Sequence, residues 1–188
     1  MKKAVLLSIK PKWCELIFLQ RKTLEVRKSM PSIETPFKVY IYETKAKWVC
    51  HVLRKAGMTS IAEALESGFG NVVGEFTCDK VSRLAISYIN GTDILCMTKD
   101  TERGAEESCL SWDELLTYSD GKPIYGWHIS DLRVYADPKP ITDFKRWNRT
   151  EENAPCAHTY SLYAPCETCK ECNLARAPQS FCYVEELP

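Results

Sequence analysis

Eleven residues, Ile17–Arg27 (IFLQRKTLEVR), constrain this chain more than any other stretch. They end an amphipathic helix, turn at Arg21-Lys22 and enter a short strand. Side chains alternate faces along a strand. Glu25 and Arg27 therefore share one face of Leu24–Arg27, and Leu24 and Val26 share the other. Lys22 sits at the mouth of the turn. Two cations and a carboxylate are thus gathered at a helix–strand corner with an apolar backing, which makes the corner a candidate polar site.

The rest of the chain supplies the frame for that corner. Lys3–Ile9 reads as a buried strand, and Pro11 opens a helix whose apolar stripe runs to about Gln20. Phe37–Thr44 (FKVYIYET) is a β-branched and aromatic strand. Lys47–Lys55 and Ser60–Ser67 read as two short helices joined at Gly57. Asn71–Leu84 reads as one long strand, with Gly74 marking a bulge or a close approach. Ile89–Glu107 reads as loop. Ser111 and Glu114 form a capping-box pattern opening a helix to about Tyr118, and Asp120-Gly121 turns the chain. Ile124–Ile129 and Leu132–Ala136 are two more strands, ended by Asp137-Pro138-Lys139-Pro140. Ser180–Glu185 is a last strand able to close the sheet. Several strands with a few short helices and no internal repeat indicate an α+β domain with a curled sheet or small barrel.

With 188 residues, 45% of them apolar and 27% charged, one domain with a sizeable core is expected. No apolar run approaches the roughly 20 residues that span a bilayer. Met1-Lys2-Lys3-AVLLSI superficially looks like a secretory leader, but its apolar stretch stops at Lys10-Pro11-Lys12. It is read as a first strand, and the protein as intracellular and cytoplasmic. Net charge is zero, yet residues 1–60 hold 13 Lys or Arg against 4 Asp or Glu, and residues 61–188 hold 12 against 21. A basic first third can steer a polyanion to one face. Charges that intermix on the folded surface would explain the pattern equally well.

Cysteine usage carries the second signal. Ten cysteines in a chain read as intracellular favour a metal over disulfides. Cys14, Cys50, Cys78, Cys96 and Cys109 are scattered and read as core or incidental thiols. Cys166, Cys169 and Cys172 form two overlapping CxxC steps that let sulfurs converge on one ion. Zinc needs a fourth ligand, for which Cys156 is chosen ahead of Cys182 and His158. An iron–sulfur cluster fits the spacing less well, because no Cys-Pro follows the run. A closed structural zinc site is expected within an insertion at residues 148–179. His51, His128 and His158 show no spacing that marks a nucleophile or base.

The residues LLSIKP (6–11), the helix after them and RKTLEVRK (21–28) resemble the opening of the ASCH domain family, whose signature there is approximately G-x-K-x-x-E-x-R. Lys22, Glu25 and Arg27 match its last three positions, and Gln20 stands where glycine usually lies. VVGEF (72–76) resembles the family's middle strand, and PIYGWHISDLRVY (123–135) its late aromatic strand pair. The resemblance covers roughly residues 3–146 and is best to small ASCH proteins of phages and their bacterial hosts. It implies a single domain over residues 1–188: a PUA-like mixed β-barrel with short flanking helices and a zinc-knuckle-like insertion. It also implies a cleft lined by Lys22, Glu25 and Arg27 that takes RNA or a nucleotide-like ligand.

Within that cleft Lys22 is a candidate base or phosphate contact, Arg27 offers a fork for phosphate, and Glu25 can hold either cation. Tyr125 and Trp127 fall on one strand face and can stack a base. Glu75 is a candidate second carboxylate. Two alternatives stay open. One is a small hydrolase at the same cleft with Lys22 and Glu25 catalytic, acting on an N4-acetylcytidine-type nucleoside or on RNA. The other is a metal-stabilised protein-interaction module.

Overall fold

The computed structural model describes residues 2–45, 47–61, 63, 69–84, 86–89, 92–95, 99–147 and 173–188. The chain divides into two compact units. One comprises Met1–Cys14, Lys38–Glu75 and Arg133–Pro188, and the other Glu15–Phe37 and Phe76–Leu132.

A five-stranded sheet lies mainly in the first unit. Its strands are β1 (Lys3–Ile9), β3 (Phe37–Glu43), β4 (Asn71–Cys78), β9 (Ser130–Pro140) and β10 (Phe181–Glu185), in the order β10-β1-β3-β4-β9. β1 runs parallel to β3 and antiparallel to β10. Ala4–Leu7 and Val39–Ile41 are all fully buried, so these strands read as unbroken apolar runs rather than alternating ones. On one face Ala4, Leu6, Tyr40, Tyr42, Val72 and Val184 pack with Phe144 and Leu174. The Tyr40 and Phe144 rings meet edge to face at 4.9 Å. The Tyr40 hydroxyl accepts the Leu187 N–H at 2.7 Å, which ties the end of the chain down.

Both margins of this sheet have a local explanation. Residues 145–147 cover β10: Glu185 donates its N–H to the Lys145 carbonyl at 2.9 Å, and Trp147 donates to the Tyr183 carbonyl at 3.0 Å. At the other margin β9 runs through Pro138 and Pro140, where the sequence placed the strand's end. Proline lacks the ladder donor and is tolerated on edge strands, and β9 is last in the strand order. Gly74 is a close-approach point. A Cβ there would lie 2.7 Å from the Arg133 carbonyl oxygen.

The second unit carries a three-stranded antiparallel sheet, β2 (Leu24–Arg27), β8 (Ile124–His128) and β5 (Val81–Leu84), in the order β2-β8-β5. Leu24, Val26, Leu84, Leu115 and Ile124 form its core, flanked by Ala105, Leu110 and Trp112. The stretch expected as one strand from Asn71 to Leu84 is two, broken at Asp79-Lys80, and β5 pairs with β8.

The stretch expected as loop holds part of a hairpin, β6 (Ile86–Ile89) with β7 (Thr92–Leu95), and a helix at Lys99–Ser108. That helix follows α1 (Pro11–Phe18) and α2 (Lys47–Lys55) and is α3; Trp112–Ser119 is α4. The polar, charged run Lys99–Glu107 concealed α3 in the sequence. A Cβ at Gly104 would lie 2.7 Å from the Leu84 side chain, so glycine there permits close packing rather than a turn. The Ser111/Glu114 capping box opens α4 as expected.

Candidate functional site

The corner begins with the end of α1. Gln20 takes the left-handed conformation at φ 56°. Its N–H bonds the Ile17 carbonyl at 2.8 Å, and the Arg21 N–H reaches back to the Leu16 carbonyl at 2.9 Å. This pair of bonds is a Schellman cap, a role glycine usually fills. α3 ends the same way: Cys109 has φ 55°, with Cys109 N–H on Glu106 O and Leu110 N–H on Ala105 O. The two caps touch, since the Cys109 thiol donates to the Arg21 carbonyl at 3.2 Å.

Lys22 leaves the first cap and fills the end of the second helix. Its ammonium donates to the Ser108 carbonyl at 2.8 Å and the Leu24 carbonyl at 2.9 Å, and it pairs with Glu25 Oε2 at 3.2 Å. A cation at a helix C-terminus satisfies orphan carbonyls and the helix dipole. Thr23 adds its N–H to the Glu107 carbonyl at 2.8 Å. Glu25 is then bridged on its other oxygen: Oε1 accepts from Arg27 Nη2 at 2.9 Å. Lys22, Glu25 and Arg27 are therefore brought together as the sequence indicated. They are also buried, at 2%, 6% and 9% exposure. The three head groups form a +/−/+ chain with one net positive charge.

The sheet register extends this chain sideways. β8 lies between β2 and β5, with Tyr125 opposite Arg27 on one side and opposite Arg83 on the other. Directly opposed residues on antiparallel strands share a face. Arg27, Tyr125 and Arg83 thus form one row across three strands, with Tyr125 half-buried and Arg83 exposed. The sequence reading missed Arg83, because only the non-local pairing of β5 with β8 places it there. Tyr118 adds a further aromatic group near Arg27. Burial pushes its hydroxyl pKa up, Arg27 opposes that shift and Glu25 adds to it. Lys28 Nζ lies 5.4 Å from the Tyr118 ring centroid.

The other expected residues lie elsewhere or face inward. Trp127, opposite Glu25, is fully buried and meets Phe37 edge to face at 5.8 Å. It is a core residue, and the stacking face expected of it is not presented to solvent. Glu75 belongs to the first unit. There its carboxylate accepts from the Tyr135 hydroxyl and pairs with Lys38 at 3.2 Å. Lys38 also pairs with Glu186 at 3.3 Å.

His128, which no spacing singled out, pairs through Nδ1 with Asp79 at 2.6 Å, both side chains being more than one-third exposed. The hydrogen bond from His128 holds the Asp79 carboxyl below the usual carboxylate range.

Cys156, His158, Cys166, Cys169 and Cys172 lie outside the described residues. Cys14, Cys78, Cys109 and Cys182 carry reduced thiols, and burial pushes the thiol pKa up at Cys182 and, to about 12, at Cys78. Among the described residues no group of three or more His, Cys, Asp or Glu is arranged to hold a metal ion. No helix among them is long and apolar enough to cross a membrane.

No family model matches the chain, and no curated protein matches it. Among solved structures it is similar to ASCH proteins of Zymomonas mobilis. A mutant ASCH protein aligns at 16% identity and TM-score 0.49, covering 74% of this chain and 77% of that one. The ASCH protein itself aligns at 15% identity and TM-score 0.47, covering 73% of each chain. The architecture is mixed α+β, with one large sheet and a few short helices. No residue role is transferred from these structures.

Proposed function

We propose that this chain is a PUA-like ASCH domain that binds RNA or a nucleotide-like ligand at the Arg27–Tyr125–Arg83 row. The observation that carries this reading is the row itself: a half-buried tyrosine between two arginines on one sheet face. A base can stack on an aromatic face while neighbouring guanidinium groups take phosphate. Behind the row, Lys22 and Glu25 hold Arg27 in place and leave one net positive charge. A hydrolase at the same corner would need a free base. The Lys22 ammonium directs donors to three acceptors, and each Glu25 oxygen carries a cation. Those contacts favour a positioning role for both residues and binding over turnover.

Titration of a fluorescein-labelled oligoribonucleotide tests the reading. Arg83→Gln is expected to weaken binding about tenfold and to lower the salt dependence by roughly one released counterion. Tyr125→Leu is expected to weaken binding by a factor of roughly five to a hundred. Unchanged affinity in both variants would overturn the assignment.

For the cysteine-rich segment we propose a structural zinc ion held by Cys156, Cys166, Cys169 and Cys172, on the strength of their spacing.

A further inference from the structure

A second surface, in the first unit, combines aromatic rings and lysines in a way the Arg27 row does not account for. On β10, Phe181 and Tyr183 are two residues apart and share a face, and their rings meet at 5.8 Å. The covering segment places Trp147 on that same face. The Arg146↔Val184 bridge and the Trp147 N–H bond to Tyr183 O set Trp147 beside Tyr183. All three rings are half-buried. Val5 and Leu7, opposite Tyr183 and Phe181 on β1, lie on the same face and are fully buried, so the rings stand at the margin of a packed apolar surface.

Charge on the same face favours a polyanion. Lys3 stands opposite Glu185 on β1, and the Glu185 N–H bonds the Lys145 carbonyl on the far side. The row Lys3–Glu185–Lys145 therefore carries two cations about one acid, and Glu185 is only 9% exposed. Lys3 Nζ already lies 3.8 Å from the centroid of the Tyr183 ring. A partly buried cation–π contact of this kind is no stronger than stacking of a nucleobase. The lysine stem is flexible enough to yield the ring to a base and take a phosphate instead.

We propose that Phe181, Tyr183 and Trp147, with Lys3 and Lys145, form a second nucleic-acid contact that stacks bases of a single strand on the β10 margin. Single-stranded RNA is recognised in this manner on sheet faces bearing aromatic side chains. A duplex has its bases already stacked and offers no free base face to these rings.

The test uses the full chain and a fluorescein-labelled oligouridine. Tyr183→Leu keeps an apolar side chain on the strand and removes the ring. It is expected to weaken binding by roughly five- to a hundredfold, whereas Tyr183→Phe should bind as the unaltered chain does. Lys3→Gln is expected to lower the salt dependence by roughly one counterion. Photocrosslinking of the unaltered chain to 5-iodouridine-substituted RNA gives a readout independent of variant folding, with crosslinks expected on peptides containing Trp147, Phe181 or Tyr183. Unchanged affinity in Tyr183→Leu, crosslinks confined to other peptides, or equal affinity for duplex RNA would overturn the proposal. Arg83→Gln separates the two surfaces: if it weakens binding and Tyr183→Leu does not, the Arg27 row stands and the β10 platform falls.

Discussion

Gln20 occupies backbone space that a side chain enters at a cost of about 1–2 kcal/mol, whereas glycine enters it freely. The cap it completes is what delivers Lys22 to the end of α3. Gln20→Gly is therefore expected to stabilise the protein by about 0.5–1 kcal/mol, seen as a rise in thermal midpoint of roughly 1–4 °C. Lys22 behaves in the opposite sense. Lys22→Met would strip a donor from two carbonyls and a partner from Glu25 in a site 2% exposed. Breaking a buried pair in this way costs about 3–5 kcal/mol, to be read from urea unfolding. Strand alternation was enough to put Glu25 and Arg27 on one face from the sequence. The acceptor that fixes Lys22, Ser108 O, is 86 residues away, and no local pattern reveals it.

Elements bounded by local chemistry were legible, and elements bounded by distant packing were not. Pro11 opens α1 and the Ser111/Glu114 box opens α4, because both signals act within one turn. α3 was hidden because Lys99–Glu107 is a polar, charged run, and the close packing that seats the helix, Gly104 against Leu84, involves another element. The break at Asp79-Lys80 was hidden because β5 pairs with β8 rather than extending β4. That break places Asp79 against His128.

Asp79 is more acidic in the folded chain than an ordinary carboxyl. Its contribution to stability is thus present above the unfolded value near pH 4 and is lost as pH falls through the lower folded value. Asp79→Asn is expected to flatten that part of the acid-unfolding curve, measured by circular dichroism across a pH series. An unchanged acid limb would show that the pair contributes nothing there.

For the whole molecule, charge along the sequence proves a poor map of charge in space. The basic first sixty residues are divided between the two units, with residues 15–37 in one and residues 1–14 and 38–60 in the other. The basic features that survive are short and specific: the Arg27–Tyr125–Arg83 row and the Lys3–Glu185–Lys145 row. Both depend on strand register, which composition does not encode. The cysteine-rich segment makes a separate whole-chain prediction. Purified protein should carry about one equivalent of zinc, and a chelator should lower its thermal midpoint. Metal-free protein with the same midpoint would remove the site.

Pro138 and Pro140 stand two residues apart on β9, so the donors they lack fall on the same side of that strand. An open margin of backbone groups is a template on which another chain can polymerise. Two missing donors leave that side of the last third of β9 without a continuous ladder for a growing fibril to copy.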